Sequence, residues 1–281
     1  MNISDAIAFG GDALRQASIA EPEREVNLLL RHSLKRDATF IYSHPEYRLD
    51  AVESILFKAV LKRRAGREPF QYITGVQEFY GLEFEVTGDV LIPRPETEIL
   101  VEAAIGALRD AEAPRFCEIG VGSGCISVSI LRNVSNAAAI AVDVSEAAVK
   151  VAAKNAAKHS VNDRLLLARS NVFENVSEIG FDAVVSNPPY VPDGDILGLQ
   201  EEVRSFEPRS ALVGGLDGLD IVKQIIDDAP NHLKAGGLLL MEIGWNQSAQ
   251  VADILDPDIW KDVAFLPDLQ GIPRIVKANI R

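Results

Sequence analysis

The chain has 281 residues, 47% of them apolar and only 6% aromatic, which allows one large domain or two with cores built mainly of Ala, Val, Ile and Leu. A formal charge of −13 argues against a nucleic-acid-binding face, which needs a basic surface. The only cysteines are Cys117 and Cys125, the N-terminus lacks a signal-peptide pattern, and no apolar run approaches the ~20 residues of a membrane helix; a cytoplasmic protein without disulfide framework or membrane association is expected.

Charge divides the chain unevenly: residues 1–70 carry a net +1 and residues 71–281 a net −14, as two regions of different surface chemistry would. The first region reads as helices. Ile3, Ile7, Leu14 and Ala17 recur at helical spacing behind Ser4 or Asp5 as a cap. Pro22 suits a first helical turn, and Val26, Leu29, Leu30 and Leu34 form the next stripe. A third helix is expected from Asp50 to Arg64, with Val52, Ile55, Leu56, Ala59 and Val60 inward and Lys58, Lys62, Arg63 and Arg64 outward. That basic face is read as a solvated helix surface, or else as a docking surface for a partner macromolecule.

From Phe70 to Ile92 the residues turn aromatic and β-branched and are broken by Gly75, Gly81 and Gly88, which predicts a β-hairpin linker. Pro93 and Pro95 stop it, and Glu96 or Thr97 opens a helix through Leu108. Beyond Arg115, apolar strands are expected at 116–119, 138–142, 165–168, 183–186 and 238–243, alternating with helices at 126–132, 147–159 and 219–232. Alternation of this kind predicts an α/β fold with an open, mainly parallel sheet covered on both faces. The division expected is a helical domain over 1–69, the hairpin linker over 70–92 and the sheet domain over 93–281.

The first of these strands runs into Glu118-Ile119-Gly120-Val121-Gly122-Ser123-Gly124-Cys125. Glycines there allow positive φ and let a ligand approach the backbone. A dinucleotide loop needs Gly-x-Gly-x-x-Gly, and the third glycine here comes one residue early. The spacing resembles motif I of class I S-adenosylmethionine-dependent methyltransferases, although a nucleotide fold and a purely structural turn stay open at this point. The resemblance implies that Glu118, Gly120, Val121, Gly122, Ser123 and Gly124 surround the cofactor's amino-acid part. Asp143, at the end of the second strand, suits a ribose diol, a feature NAD folds share, or else a helix cap. Asn171 and Val172, after the third strand, stand where that family flanks the adenine.

Asn187-Pro188-Pro189-Tyr190 follows the fourth strand directly. The prolines stiffen the turn, so the Asn187 side-chain oxygen and the Pro188 carbonyl are held ready to accept both protons of a planar NH₂, with Tyr190 packed on it. Acceptors on those protons return electron density to a poorly nucleophilic amide nitrogen as positive charge develops. Asn187, Pro188 and Tyr190 are therefore the expected catalytic residues, and these three with Pro189 the expected substrate grip. No histidine or cysteine nucleophile is needed, and His32, His44, His159 and His232 read as surface residues.

With the tetrapeptide stand Pro69-Phe70-Gln71-Tyr72-Ile73-Thr74-Gly75, Glu78-Phe79-Tyr80-Gly81, Leu91-Ile92-Pro93-Arg94-Pro95-Glu96-Thr97-Glu98, Glu207-Pro208 and Gly271-Ile272-Pro273-Arg274. Together they resemble the release factor glutamine methyltransferase (PrmC/HemK) family over nearly the whole chain. The resemblance implies a Rossmann-like class I methyltransferase sheet behind a small all-helical N-terminal domain that helps dock the substrate. It also implies N5-methylation, from S-adenosyl-L-methionine and without a metal, of the glutamine in the Gly-Gly-Gln motif of class I peptide chain release factors. Glu118, Val121 and Asn171-Val172 depart from the family's usual Asp, Thr and Asp-aromatic. Phe79, Tyr80 and Arg94 are expected on the second wall of the substrate pocket, and the enzyme is expected to act as a monomer. Competing expectations are a ribosomal protein L3 glutamine or nucleic-acid amino-methyltransferase, an NAD-dependent oxidoreductase, and a non-catalytic release-factor-binding module.

Overall fold

Asn2, rather than Ser4 or Asp5, caps the first helix: its side chain accepts from the Asp5 N–H at 2.7 Å while Asp5 accepts from the Asn2 N–H. The computed structural model describes residues 1–281. Helices α1 (Ile3–Gln16), α2 (Pro22–Leu34), α3 (Ala38–Ser43), α4 (Ala51–Ala65) and α5 (Phe70–Thr74) follow in order. They form one unit, Met1–Gly75, joined by Gln200–Phe206 from later in the chain. Its core gathers Ile3, Leu14, Leu29, Leu30, Ile41 and Phe57.

Helix α4 is rotated from the expected phase. Phe57, Val60, Leu61 and Arg64 are buried, whereas Val52 and Ile55 are 65% and 68% exposed. Arg64 turns inward because carboxylates meet it there. Its guanidinium binds Glu25 at 2.8 Å and Glu202 at 3.2 Å, and Arg67 binds Glu202 at 2.7 Å. Arg64→Ala should destabilise this unit by ~3 kcal/mol, because the poorly solvated Glu25 loses its counter-charge and Glu202 keeps only that of Arg67. Chemical denaturation of the full chain measures it; a change as small as that of a surface pair would refute the assignment.

Residues 70–74, expected within the hairpin, are a helical turn instead. Pro69 precedes it, Tyr72 and Ile73 are buried, and Gly75 closes it at φ 79°. Tertiary packing overrides the strand preference of the aromatic residues. The hairpin itself is shorter, β1 (Val76–Phe79) against β2 (Leu82–Glu85). Tyr80 and Gly81 both take positive φ, 52° and 72°, as a two-residue type I′ turn requires.

The second unit, Val76–Leu199 with Glu207–Arg281, holds the main sheet. After α6 (Thr97–Leu108) come β3 (Arg115–Ile119), α7 (Cys125–Asn133), β4 (Ala138–Asp143), α8 (Glu146–Lys158), β5 (Leu165–Arg169) and β6 (Phe181–Ser186). The segment joining the first unit forms α9 (Glu201–Phe206), and α10 (Asp220–Asp228), β7 (Leu233–Glu242), α11 (Ser248–Ile254), β8 (Trp260–Pro267) and β9 (Pro273–Ile280) complete the chain. Strand order is β5-β4-β3-β6-β7-β9-β8, with β9 antiparallel to both neighbours and the other pairs parallel. Two apolar layers cover the faces, one around Leu100, Phe116 and Val185, the other around Phe181, Leu239 and Trp260. This is the Rossmann-like class I methyltransferase sheet, completed by the terminal pair β8 and β9.

Chain order reverses at β3: β4 lies on one side and β6 on the other. The crevice beyond the carboxyl ends of strands at such a switch point is where open α/β sheets bind ligands. No helix is long and apolar enough to cross a membrane.

Candidate functional site

The turn after β3 runs Gly120 at φ 79°, Gly122 at 52° and Gly124 at 81°. Gly124 caps α7 in the left-handed region, and a Cβ there would lie 3.2 Å from that of Ala152 on α8. At Gly122 a Cβ would meet nothing within 4 Å, which leaves its backbone open to a ligand. The Gly120 and Val121 N–H groups donate to the Val142 carbonyl, and Asp143 accepts from the Gly122 N–H at 2.9 Å. The loop is thus fixed to the end of β4. Buried Asn155 holds the Ser123 carbonyl at 2.8 Å.

One cavity lies along this edge, and its wall includes Gly120, Val121, Gly122, Ser123, Asp143, Asn171, Val172 and Asn187. Asp143 also accepts from the Ser145 N–H at 2.9 Å. Burial raises its carboxyl, and backbone N–H groups, that of Gly122 first, oppose the rise. Asn171 donates to Glu174 at 2.8 Å. Val172 is buried at φ 45°, a costly conformation for a β-branched residue, and lies at the cavity wall. Glu118, expected among these residues, does not reach the wall. It is fully buried beneath the loop, where it accepts from the Ser127 hydroxyl and, at 3.0 Å, the Ser127 N–H. Burial pushes its carboxyl up to about 8, against those two bonds. Its Oε2 braces the start of α7, whereas Oε1 is buried without a hydrogen-bond partner.

The tetrapeptide leaves β6 beside this loop. Ser186 donates to the Ile119 carbonyl at 2.7 Å, tying the ends of β6 and β3 together. Asn187 Nδ2 donates to Thr97 Oγ1 at 3.0 Å, and Thr97 donates to Glu242 Oε2 at 2.6 Å. Glu242 Oε1 accepts from the Tyr190 hydroxyl at 3.2 Å. Neither Asn187 Oδ1 nor the Pro188 carbonyl accepts a hydrogen bond from the chain. Gln247 fixes the exit, donating to the Tyr190 carbonyl at 3.0 Å and accepting from the Gly244 N–H at 2.8 Å. Asn187 and Pro189 line the cavity; Pro188 is buried, and Tyr190 turns its hydroxyl towards Glu242.

Asp89, Val90, Leu91, Pro93 and Arg94 complete the cavity wall. Arg94 binds Glu207 at 2.6 Å, and Glu207 also faces the Ile92 N–H at 3.4 Å, so the Glu207-Pro208 segment is fastened to the cavity rim. Of the three residues expected on this wall only Arg94 is there. Phe79 is 1% exposed, packed edge-on against Phe84 in the core below the sheet, because a bare aromatic ring gains most by full burial. Tyr80 sits at the hairpin turn, its N–H on Glu98 at 2.8 Å. Two histidines read as surface residues pack instead: His232 stacks on Phe173 at 4.3 Å, and His159 lies 5.1 Å from the Phe84 ring.

Thr97, Glu242 and Gln247 escaped the sequence reading. In the sequence Thr97 stands out only as a helix start and as part of the 91–98 motif, Glu242 lies inside the strand expected over 238–243, and Gln247 is an isolated polar residue beyond it. One signal was available: a carboxylate at the end of an otherwise apolar buried strand needs a reason to be there.

Residues 5–75 match the family PrmC N-terminal domain, and residues 96–200 match Methyltransferase small domain. The chain is 39% identical to the release factor glutamine methyltransferase of Geobacter sulfurreducens, over 95% of this chain and 93% of that one. To the enzyme of the same name from Cereibacter sphaeroides it is 40% identical, over 100% and 99%. The crystal structure of a methyltransferase from Pyrococcus furiosus superposes with a TM-score of 0.53 at 18% identity, covering 79% of this chain and 96% of that one, a likeness of fold alone.

Proposed function

The chain belongs to the release factor glutamine methyltransferase family, and from that premise we propose that it methylates N5 of the glutamine in the Gly-Gly-Gln motif of class I peptide chain release factors. The observation that carries the reading is the state of Asn187: its nitrogen is engaged by Thr97, so its oxygen is left facing an acceptor. With the Pro188 carbonyl it offers two lone pairs to the two protons of a primary amide. A glutamine on an exposed glycine-rich loop is narrow enough to reach them.

S-adenosyl-L-methionine, when bound, supplies an electrophilic methyl group. The cavity fits it: the open backbone at Gly122 beside Val121 for the amino-acid part, the Asp143 carboxylate for a diol, and apolar Val172 for a flat ring. Asn171 can both donate to and accept from the ring's polar edge. Asn187 and Pro188 orient the amide and polarise its N–H bonds, which favours the charge that develops on nitrogen at the transition state. The prolines hold that arrangement before substrate arrives, so little is lost to ordering. On this reading the partner is a release factor and the reaction is cytoplasmic.

The test is direct. Incubation with methyl-labelled cofactor and a recombinant class I release factor, followed by peptide mass spectrometry, should place a single label on the Gly-Gly-Gln glutamine. Labelling of another protein glutamine, or of a nucleic-acid amine, would move the proposal to that substrate.

A further inference from the structure

A single buried carboxylate governs both polar side chains of the tetrapeptide. In the parallel pairing of β6 with β7, Ser186 lies opposite Met241, so the next residues out are Asn187 and Glu242. Helix α6 begins at Thr97 and places its hydroxyl between them. Glu242 is 2% exposed, with one oxygen on Thr97 and the other on Tyr190.

We propose that Glu242 and Thr97 are positioning residues that determine which end of the Asn187 amide faces the acceptor nitrogen. The inference deepens the proposed function and rests on its reading of Asn187 as an acceptor. A threonine hydroxyl has one proton, and an ionised Glu242 takes it. What Thr97 then offers Asn187 is a lone pair, which only the NH₂ end of the amide can use. The oxygen end must face the cavity. Shape alone does not make this choice, because the two ends of a carboxamide are nearly the same size. Turned around, Asn187 would set N–H bonds against the N–H bonds of the substrate.

Protonation of Glu242 inverts the chain of bonds. Its hydroxyl donates to Thr97 Oγ1, the Thr97 proton is released towards Asn187 Oδ1, and the amide turns. The groups bearing on Glu242 are Thr97 and Tyr190, which donate to it, Glu96 before α6, Arg274 on β9 and the Cys125 thiol on α7. Burial outweighs the donors and Arg274, and Glu96 adds to it, so the carboxyl is pushed up to about 7. The productive orientation is therefore present above that pH and lost as pH falls through it.

The experiment is steady-state methylation of a release factor by the full chain from about pH 6 to about pH 9, with Thr97→Val, Thr97→Ser, Glu242→Gln and Asn187→Ala. Thr97→Val keeps the shape and removes the hydroxyl. It should lower kcat at the alkaline end by roughly 10–100-fold, with KM for the cofactor and the melting temperature little changed. Thr97→Ser should restore most of kcat. The wild type should lose kcat on the acid side of about 7, and Glu242→Gln, which cannot titrate, should give a flat profile there. Full kcat in Thr97→Val, or an unchanged acid limb in Glu242→Gln, overturns the inference; the second arm stands even if Thr97→Val does not fold. Asn187→Ala separates the two levels. If it is folded and inactive while Thr97→Val is fully active, the positioning fails and the function survives. If Asn187→Ala is active, the acceptor role falls and the positioning with it.

Discussion

Replacing Asn187 by alanine is expected to lower kcat by roughly 10²–10³-fold with little change in the affinity for S-adenosylmethionine. On the proposed function the side-chain oxygen is one of two acceptors offered to the substrate amide, and its contribution grows as the nitrogen gains charge. The loss therefore belongs in kcat rather than in cofactor binding. Removal also leaves Thr97 without its second partner, but Thr97 still donates to Glu242, so the fold should hold. Isothermal titration with the cofactor and single-turnover methylation measure the two halves separately. A variant that keeps more than about a tenth of wild-type kcat would contradict the role.

The second large effect is expected from a residue that makes no contact with the cavity. Gly218→Ala would put a methyl group 2.2 Å from the Tyr190 carbonyl oxygen and 2.8 Å from Gln247 Nε2, at a φ of 77° that disfavours any side chain. Neighbouring Gly214 is as tightly enclosed, with the Pro189 carbonyl oxygen 2.5 Å from where its Cβ would be. The Tyr190 oxygen is backbone and cannot swing away, so the tetrapeptide itself must move. A stability loss of ~2–4 kcal/mol is expected from overpacking and left-handed strain together. A displacement of even an ångström at Asn187 should reduce kcat by about 10²-fold or more. Thermal melting and turnover of the purified variant check both. Near-normal turnover would mean that the 213–219 loop yields instead, and that the corner is less rigid than its packing implies.

The sheet and its ligand loops were legible because their signals are local. Five apolar strands, a glycine turn at positive φ and a proline-stiffened corner each follow from a few consecutive residues. Strands β8 and β9 were not, since neither shows a regular period-2 alternation of burial and both carry charges, Lys261, Asp262, Arg274 and Lys277. Helix α4 failed for a sharper reason. Its sequence carries two candidate stripes, and the one through Val52, Ile55 and Leu56 is the more apolar. The buried stripe ends in Arg64, which is intelligible only once Glu25 and Glu202, 39 and 138 residues away, are seen beside it. The site divides the same way. Asn187, Asp143 and the glycines announce themselves, whereas Thr97 and Glu242 acquire meaning only when α6, β6 and β7 are placed side by side. Phe79 and Tyr80 carry no local signal that separates wall from core or turn, and the structure places Phe79 in the core and Tyr80 at the hairpin turn.

The ionic partner of Arg64 and Arg67 comes from a stretch that interrupts the catalytic part of the chain. The polypeptide consequently crosses from one unit to the other three times, after Gly75, after Leu199 and after Phe206. A fragment excised at Gly75 would contain all five N-terminal helices yet lack Glu201 and Glu202, leaving Arg67 with no carboxylate and Arg64 with Glu25 alone. Such a fragment would be an amputated body, not a self-sufficient module.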